Sequence, residues 1–410
     1  MTQSERSSKP MPLEGVRVLD CGTIIAAPYT AALLADWGAD VIKIEHPSGD
    51  NMRKTGPSKN GAGLNYKFYG RNKRNIVLNL STPQGQEVMA GLVQKSDVVI
   101  ENFRPGVMER WKLGWEDLHA INKRLVMLRI TGFGQTGPYS SRPGFGTLAE
   151  SMSGYAHING YPDGPPTLPP FGLADGVAAM ASAYAVMLAL YQRDAKGSEG
   201  QMIDMALIEP IFHILGGQTT IFDQLGIIQN RSGNRSVNNA PRNTYKTRDE
   251  RWVAISTASQ SIAERVMTMI GRPDIIKEPW FRSGPERAKH ADELDELVGT
   301  WIRARDNDEV MRAFEVAGAA VAPIYNVEQL LQDPQYVARG SIVTVPDEDL
   351  GTVRMQNLPF RMSASSGAVR HGGGRLGRDT DTVLRELLDL SDTQLEQLRQ
   401  AGVTQPKTDS

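Results

Sequence analysis

Asp175 is the carboxylate of this chain whose surroundings most suggest chemistry. It stands where a glycine- and proline-rich approach (Pro162-Asp163-Gly164-Pro165-Pro166, Pro169-Pro170, Gly172) meets an alanine-rich apolar stretch, 176–192, that reads as a buried helix. Two readings compete for its oxygens. As an N-cap it would accept a backbone N–H at the helix start, a role that stabilises by about 0.5–2 kcal/mol. As a nucleophile it would attack an acyl carbonyl while N–H groups at the same helix end receive the oxyanion, and one oxygen must then stay free of the cap.

Anion recognition is the second chemistry on offer. Basic residues cluster in Arg71-Asn72-Lys73-Arg74 ahead of one apolar run, and Arg104 and Arg110 follow another. In a doubly wound sheet the loops at the carboxyl ends of strands line the ligand crevice, which favours Arg104. Lys73 and Arg74 precede their strand and fit a solvated turn equally well. His46, just beyond a strand, can face a nucleotide or water. The histidines are scattered without a metal-ligand spacing, and no G-x-S-x-G elbow is present. Two G-x-G-x-x-G runs, Gly132/Gly134/Gly137 and Gly372/Gly374/Gly377, do not open a βαβ unit. Metal, serine-hydrolase and dinucleotide chemistry are thereby set aside.

The elements that must position these groups alternate. Apolar runs at 16–19, 40–44, 75–80, 97–100 and 125–131 are separated by helix-like stretches at 28–37, 83–95 and 116–122. Such alternation predicts an α/β fold with a parallel, doubly wound sheet. A second amphipathic stretch, 202–225, leads to a polar linker at 230–242. A smaller unit follows from 245 to about 322, with a strand at 252–256 and helices near 261–270, 288–303 and 308–317. The tail adds a strand pair, 342–345 and 352–355, and two helices, 380–388 and 391–401.

Composition narrows the class of partner. The chain has 410 residues, 45 basic and 47 acidic, for a net charge of −2, so no electrostatic footprint for nucleic acid or an anionic membrane is present. Small-molecule chemistry is the expectation. The single cysteine, Cys21, excludes an intramolecular disulfide and a cysteine-built zinc site, and it fits a reducing compartment. The polar first nine residues carry no apolar signal core, and a cytoplasmic address is expected.

Several joined motifs carry a resemblance: PLEGVRVLD (12–20), LLADWGADVIKIEHPSGD (33–50), NKRNIVLNL (72–80), DVVIENFRPGVMERWKLGW (97–115), ITGFGQTGPYSSRPGFG (130–146), LADGVAA (173–179), DPQYVARG (333–340) and RLGRDTDTVLREL (375–387). In this order they resemble the class III coenzyme A transferases, the CaiB/BaiF and formyl-CoA transferase-like family, to which α-methylacyl-CoA racemase is related. The resemblance implies a large Rossmann-like domain built from both chain ends, 1–228 and 331–410, a smaller α+β domain inserted at 229–330, and an interlocked ring-like homodimer. It implies transfer of CoA from an acyl-CoA donor to a free carboxylic acid. An aspartate attacks the thioester and passes through anhydride and aspartyl-CoA thioester intermediates; Asp175 in LADG matches it.

The same resemblance places CoA contacts at Ile25, Ala26, His46, Leu78, Asn79, Asn102, Phe103, Arg104 and Arg110, with Lys73 and Arg74 joining them from the basic cluster. His46 stands where the family often has arginine. CoA is then a substrate, with no permanently bound cofactor and no metal. Phe145 and Gly146 fall in the substrate pocket. The racemase branch has Gly-His-Asp where this chain reads Gly144-Phe145-Gly146, so an α-methylacyl-CoA racemase or epimerase would lack its base. Some transferases carry glutamate at Gly146, which makes the acceptor pocket here an open and less acidic one by expectation. A catalytically silent CoA-binding subunit is the remaining alternative.

Overall fold

The computed structural model describes residues 10–407, which divide into two compact units. One comprises the chain up to Tyr155, Pro169–Gly217 and Gln335 onward; the other comprises Ala156–Leu168 and Gln218–Pro334. Part of the proline-rich approach, Pro162 to Pro166, therefore belongs to the second unit, and only Pro169, Pro170 and Gly172 remain beside Asp175 in the first.

The first unit is built on six strands: β1 (Arg17–Asp20), β2 (Asp40–Glu45), β3 (Lys73–Val77), β4 (Val98–Glu101), β5 (Val126–Thr131) and β6 (Met202–Ala206). They pair in the order β3-β2-β1-β4-β5-β6, every pair parallel. Helices cover both faces, as a parallel sheet requires. Alternation along each strand sends Val18, Val41, Val98 and Leu128 to one face, against helices α1 (Ala26–Asp36) and α4 (Leu173–Lys196). Leu19, Ile42, Val99 and Met127 go to the other. That face is closed by α2 (Pro83–Gln94) and by two tail helices, α5 (Thr380–Leu388) and α6 (Asp392–Gln400), through Met89, Leu92, Leu384 and Leu395. A further helix, α3 (Gly146–Met152), lies between β5 and α4 in the chain.

Sheet order reverses between β1 and β4. Ligands in such sheets bind outside the carboxyl ends of the strands at this switch point. Two elements differ from the sequence reading in ways that matter there. β3 ends at Val77 rather than 80, which leaves Leu78, Asn79 and Leu80 in the loop at that edge. Residues 202–206 form an edge strand instead of part of an amphipathic stretch, because Met202 to Ala206 finds β5 as its ladder partner.

The basic cluster is a correction. Lys73 is fully buried; its Nζ donates to Asp20 Oδ2 at 2.8 Å and to the Pro28 carbonyl at 2.6 Å. Burial pulls the Lys73 ammonium down to about 8, with the Asp20 carboxylate opposing. Arg74 pairs with Asp40 and with Glu386, its Nη1 lying 2.7 Å from the latter, and Arg71 pairs with Asp36 at 2.7 Å. These side chains tie the sheet to its helices and reach no ligand crevice. Each finds a carboxylate of the fold: Asp20 on β1 for Lys73, Asp36 on α1 for Arg71, and Asp40 on β2 with Glu386 on α5 for Arg74.

Helix α4 is long and apolar enough to cross a membrane by length and composition alone. One face packs on α1 through Ala174, Ala178 and Val186. The expected full burial does not hold: Met180, Tyr184, Leu188 and Tyr191 on the other face are at least half exposed.

In the second unit, strands Arg242–Lys246, Trp252–Ser256 and Val321–Pro323 form an antiparallel sheet. Helices Gln260–Met269, Ala291–Arg303 and Asn307–Ala317 pack on it around Val253, Val266, Leu294 and Phe314.

Candidate active site at the switch point of the sheet

The loops after β1 and β4 are locked to each other. Asn102 Oδ1 accepts the Thr23 N–H at 2.8 Å, and its Nδ2 donates to the Thr23 carbonyl at 2.9 Å. Both ends of the Asn102 amide are thus occupied by the fold. Ile24 adopts φ of 68°, a left-handed conformation costly for a β-branched residue. It is held there by Asp50, whose Oδ1 accepts the Ile24 N–H at 3.1 Å. Strain at this turn delivers Ile25 and Ala26, at the start of α1, to a cavity; no side chain caps that helix end.

The cavity measures about 460 Å³ and its lining includes Ile25, Ala26, Asn102, Phe103 and Arg104 with Phe145, Gly146, Glu150, Gly172 and Asp175. A second cavity of about 220 Å³ shares Thr23 and Phe103 with it and is lined by His46, Leu78 and Asn79. The structure thus brings together eight sequence-derived candidates in the first cavity and three more in the second, with Phe103 in both. Arg110 lines neither and is exposed. His46 Nδ1 lies 2.7 Å from Ser48 Oγ and accepts the Ser48 N–H at 3.2 Å. Partial burial, then the nearby Lys407 charge, holds its imidazole below the usual range. Lys407, on the far C-terminal segment, had no signal in its local sequence.

Asp175 is not the N-cap. Gly172 occupies that position, and Asp175 sits in the first turn of α4. Its carboxylate receives no hydrogen bond from any described residue. The expectation of N–H groups waiting at the same helix end fails in part, for the same reason. Ala174 N–H donates to Glu150 Oε1 at 3.1 Å, Leu173 N–H to the Phe171 carbonyl at 2.8 Å, and Gly176 N–H to the Gly172 carbonyl at 3.0 Å. Glu150, 3% exposed, does the capping that a local reading assigns to Asp175. It also makes the pocket more acidic than expected. Burial, then the Glu150 charge, pushes the Asp175 carboxyl up to about 6.

Glycines set the approach. Gly146 abuts the Asp175 carboxylate so closely that a Cβ there would overlap Oδ2. Gly132 and Gly144 are pressed backbone to backbone at the two ends of the loop after β5. The first G-x-G-x-x-G run is thus a loop closure, and in the second Gly373 packs on Tyr66. Cys21 is buried, and burial beside Asp20 keeps its thiol protonated, so it is no competing nucleophile.

A parallel sheet with ligand cavities at its switch point, and an unbonded carboxylate in the larger one, define an α/β enzyme of group-transfer type. Residues 13–380 match the pattern of CoA-transferase family III, and the chain belongs to that family. It is 39% identical over 392 residues to succinyl-CoA–D-citramalate CoA-transferase of Chloroflexus aurantiacus, covering 95% of this chain and 97% of that one. With succinate–glutarate CoA-transferase of Agrobacterium fabrum the identity is 32%, over 94% and 98% of the two chains. The crystal structure of a CaiB/BaiF family protein from Brucella suis superposes with a TM-score of 0.83 at 30% identity, over 92% of this chain and 100% of that one.

A pH dependence follows from the geometry. A carboxylate nucleophile must be ionised, so if Asp175 has that role, with its carboxyl raised to about 6, kcat/KM is expected to fall about tenfold per unit below that pH and to be level above it. Glu150→Gln removes the neighbouring charge and moves the acid limb to lower pH. Rates measured from pH 4.5 to 9 with one acyl-CoA donor check this, and an unmoved limb in E150Q would refute the coupling.

Proposed function

We propose that this enzyme moves CoA from an acyl-CoA donor to a free carboxylic acid by way of Asp175. The observation that carries the proposal is the Asp175 carboxylate: partly buried, free of any hydrogen bond, and facing the switch-point cavity. An Asp175 oxygen attacks the thioester carbonyl and CoA leaves as thiolate, which forms an acyl-aspartyl anhydride. The thiolate then attacks the Asp175 carbonyl of that anhydride, releasing the donor acid and leaving an aspartyl-CoA thioester. The acceptor carboxylate attacks this thioester, giving a second anhydride and free thiolate. Attack of the thiolate on the acceptor carbonyl yields the new acyl-CoA and restores Asp175. No water, oxidant or metal enters the balance. The acids in the relatives' names, citramalate and glutarate, each carry two carboxylates, and a dicarboxylic acceptor is the class this reading favours.

CoA binding fits the two joined cavities, with the nucleotide near His46, Leu78 and Asn79 and the thioester arm passing Phe103 toward Asp175. The exposed apolar face of α4 supports a homodimer, since such a patch is normally covered in soluble proteins; sedimentation reading a single-chain mass would refute that. A cytoplasmic address rests on the lone buried cysteine. The racemase alternative has no histidine among the residues lining the Asp175 cavity.

Trapping is the direct test. Borohydride or hydroxylamine added to enzyme and acyl-CoA donor should modify the peptide containing Asp175 and no other. Turnover without a label on that peptide would replace the covalent route with direct transfer.

A further inference from the structure

The cavity beside Asp175 is lined by two arginines, Arg104 and Arg142. Neither makes an ion pair with a described residue. A guanidinium without an ion pair in a cavity wall is suited to a planar anion, which it grips with two parallel hydrogen bonds. Arg104 follows Asn102 and Phe103 on β4's loop, where the second cavity opens, and goes with the CoA moiety.

Arg142 is in the loop between β5 and α3. That loop is firmly placed. Gly132 and Gly144 are in contact at its ends, Arg142 N–H donates to the Tyr139 carbonyl at 2.9 Å, and Ser140 Oγ donates to the Gly137 carbonyl at 3.0 Å. The Arg142 guanidinium carbon lies over the Tyr139 ring, 3.8 Å from its centroid. Ser140 and Thr147 line the same cavity and add hydroxyl donors.

The reacting carboxylate of the acceptor must come to Asp175, whose close neighbours are Gly146, Gly172 and Glu150. Arg142 makes no ion pair with Asp175 yet lines the same cavity, which leaves its guanidinium for a second anionic group on the same acid.

Resting on the CoA-transfer reading, we propose that Arg142 is the subsite for the far carboxylate of a short-chain dicarboxylic acid, so that the enzyme selects dicarboxylates over monocarboxylates of equal length. The acid then spans the cavity from Asp175 to the β5–α3 loop.

The experiment compares glutarate with pentanoate as acceptors, with one acyl-CoA donor throughout, in the unmodified enzyme, R142K and R142Q. The ratio of kcat/KM for the two acids cancels any effect on the donor or on folding. In R142Q that ratio should fall about 10- to 100-fold, the loss expected for a charged hydrogen-bonded pair, and R142K should recover part of it. An equal fall with both acids would assign Arg142 to the reacting carboxylate or to the fold, and no fall would make it a solvated loop residue; either result overturns the inference while leaving CoA transfer intact. Absence of transfer to any acid by the unmodified enzyme would instead remove the CoA-transfer reading, and this inference with it.

Discussion

Asp175→Ala loses acyl transfer by roughly 10⁴-fold or more, because removing a covalent nucleophile leaves only binding and orientation. The fold survives the change. The Asp175 carboxylate makes no hydrogen bond with a described residue, Glu150 continues to cap α4, and the core residues Ala174 and Ala178 are untouched. Asp175→Asn separates chemistry from stability. The carboxyl titrates at about 6 in the folded protein against a usual 3.8, so folding favours its neutral form. The sign follows directly. Below pH 4 the group is neutral in both states and costs nothing; between pH 4 and 6 the penalty for ionising the buried group grows; above 6 it is fully present. An asparagine never ionises. D175N should therefore be inactive yet more stable than the unmodified protein by about 1–2 kcal/mol at pH 8, with the difference gone at pH 4. Denaturant unfolding at the two pH values reads it. Substantial turnover in D175A would refute the assignment of the nucleophile.

Gly146→Ala is the second large effect, and it arises from a single methyl group. The added Cβ would overlap Asp175 Oδ2. Gly146 opens α3, whose backbone is held by Ala149 packing in the core, so the side chain of Asp175 must turn aside instead. Displacing a nucleophile by about 1 Å costs on the order of 10²-fold. The second cavity, where His46 and Asn79 stand, is untouched. We expect kcat to fall about 100-fold in G146A with CoA affinity unchanged, measured by steady-state kinetics and by calorimetric titration of free CoA. Full activity in G146A would show that Asp175 does not use the oxygen facing Gly146. Loss of CoA affinity would show that the change had spread beyond the carboxylate.

Much of the frame was legible in the chain alone. Apolar runs alternating with helix-like stretches led to the parallel sheet, since both periods are local properties of the sequence. The last helix, expected at 391–401, runs Asp392–Gln400 with Ser391 and Gln394 as its capping box. The motifs of the resemblance led to Asp175, to the loops after β1 and β4, and to Leu78 and Asn79. Lys73 and Arg74 were misread because a basic residue ahead of a strand looks alike whether it meets water, a phosphate or a buried Asp20. Only the neighbouring strand decides that. Glu150 and Arg142 were passed over because neither has a distinctive local pattern.

By itself the sequence determined the class of fold, the family and the residue proposed to carry the chemistry, because these rest on short-range periodicity and on contiguous motifs. Tertiary structure decided that Asp175 is not the cap. That turned on a hydrogen bond from Ala174 to a glutamate 24 residues away. With Glu150 at the helix end, the Asp175 carboxylate has no hydrogen-bond partner among the described residues, and burial beside Glu150 holds it raised in pKa. A cap and a free nucleophile are identical in one dimension; they differ in what the fold brings beside them.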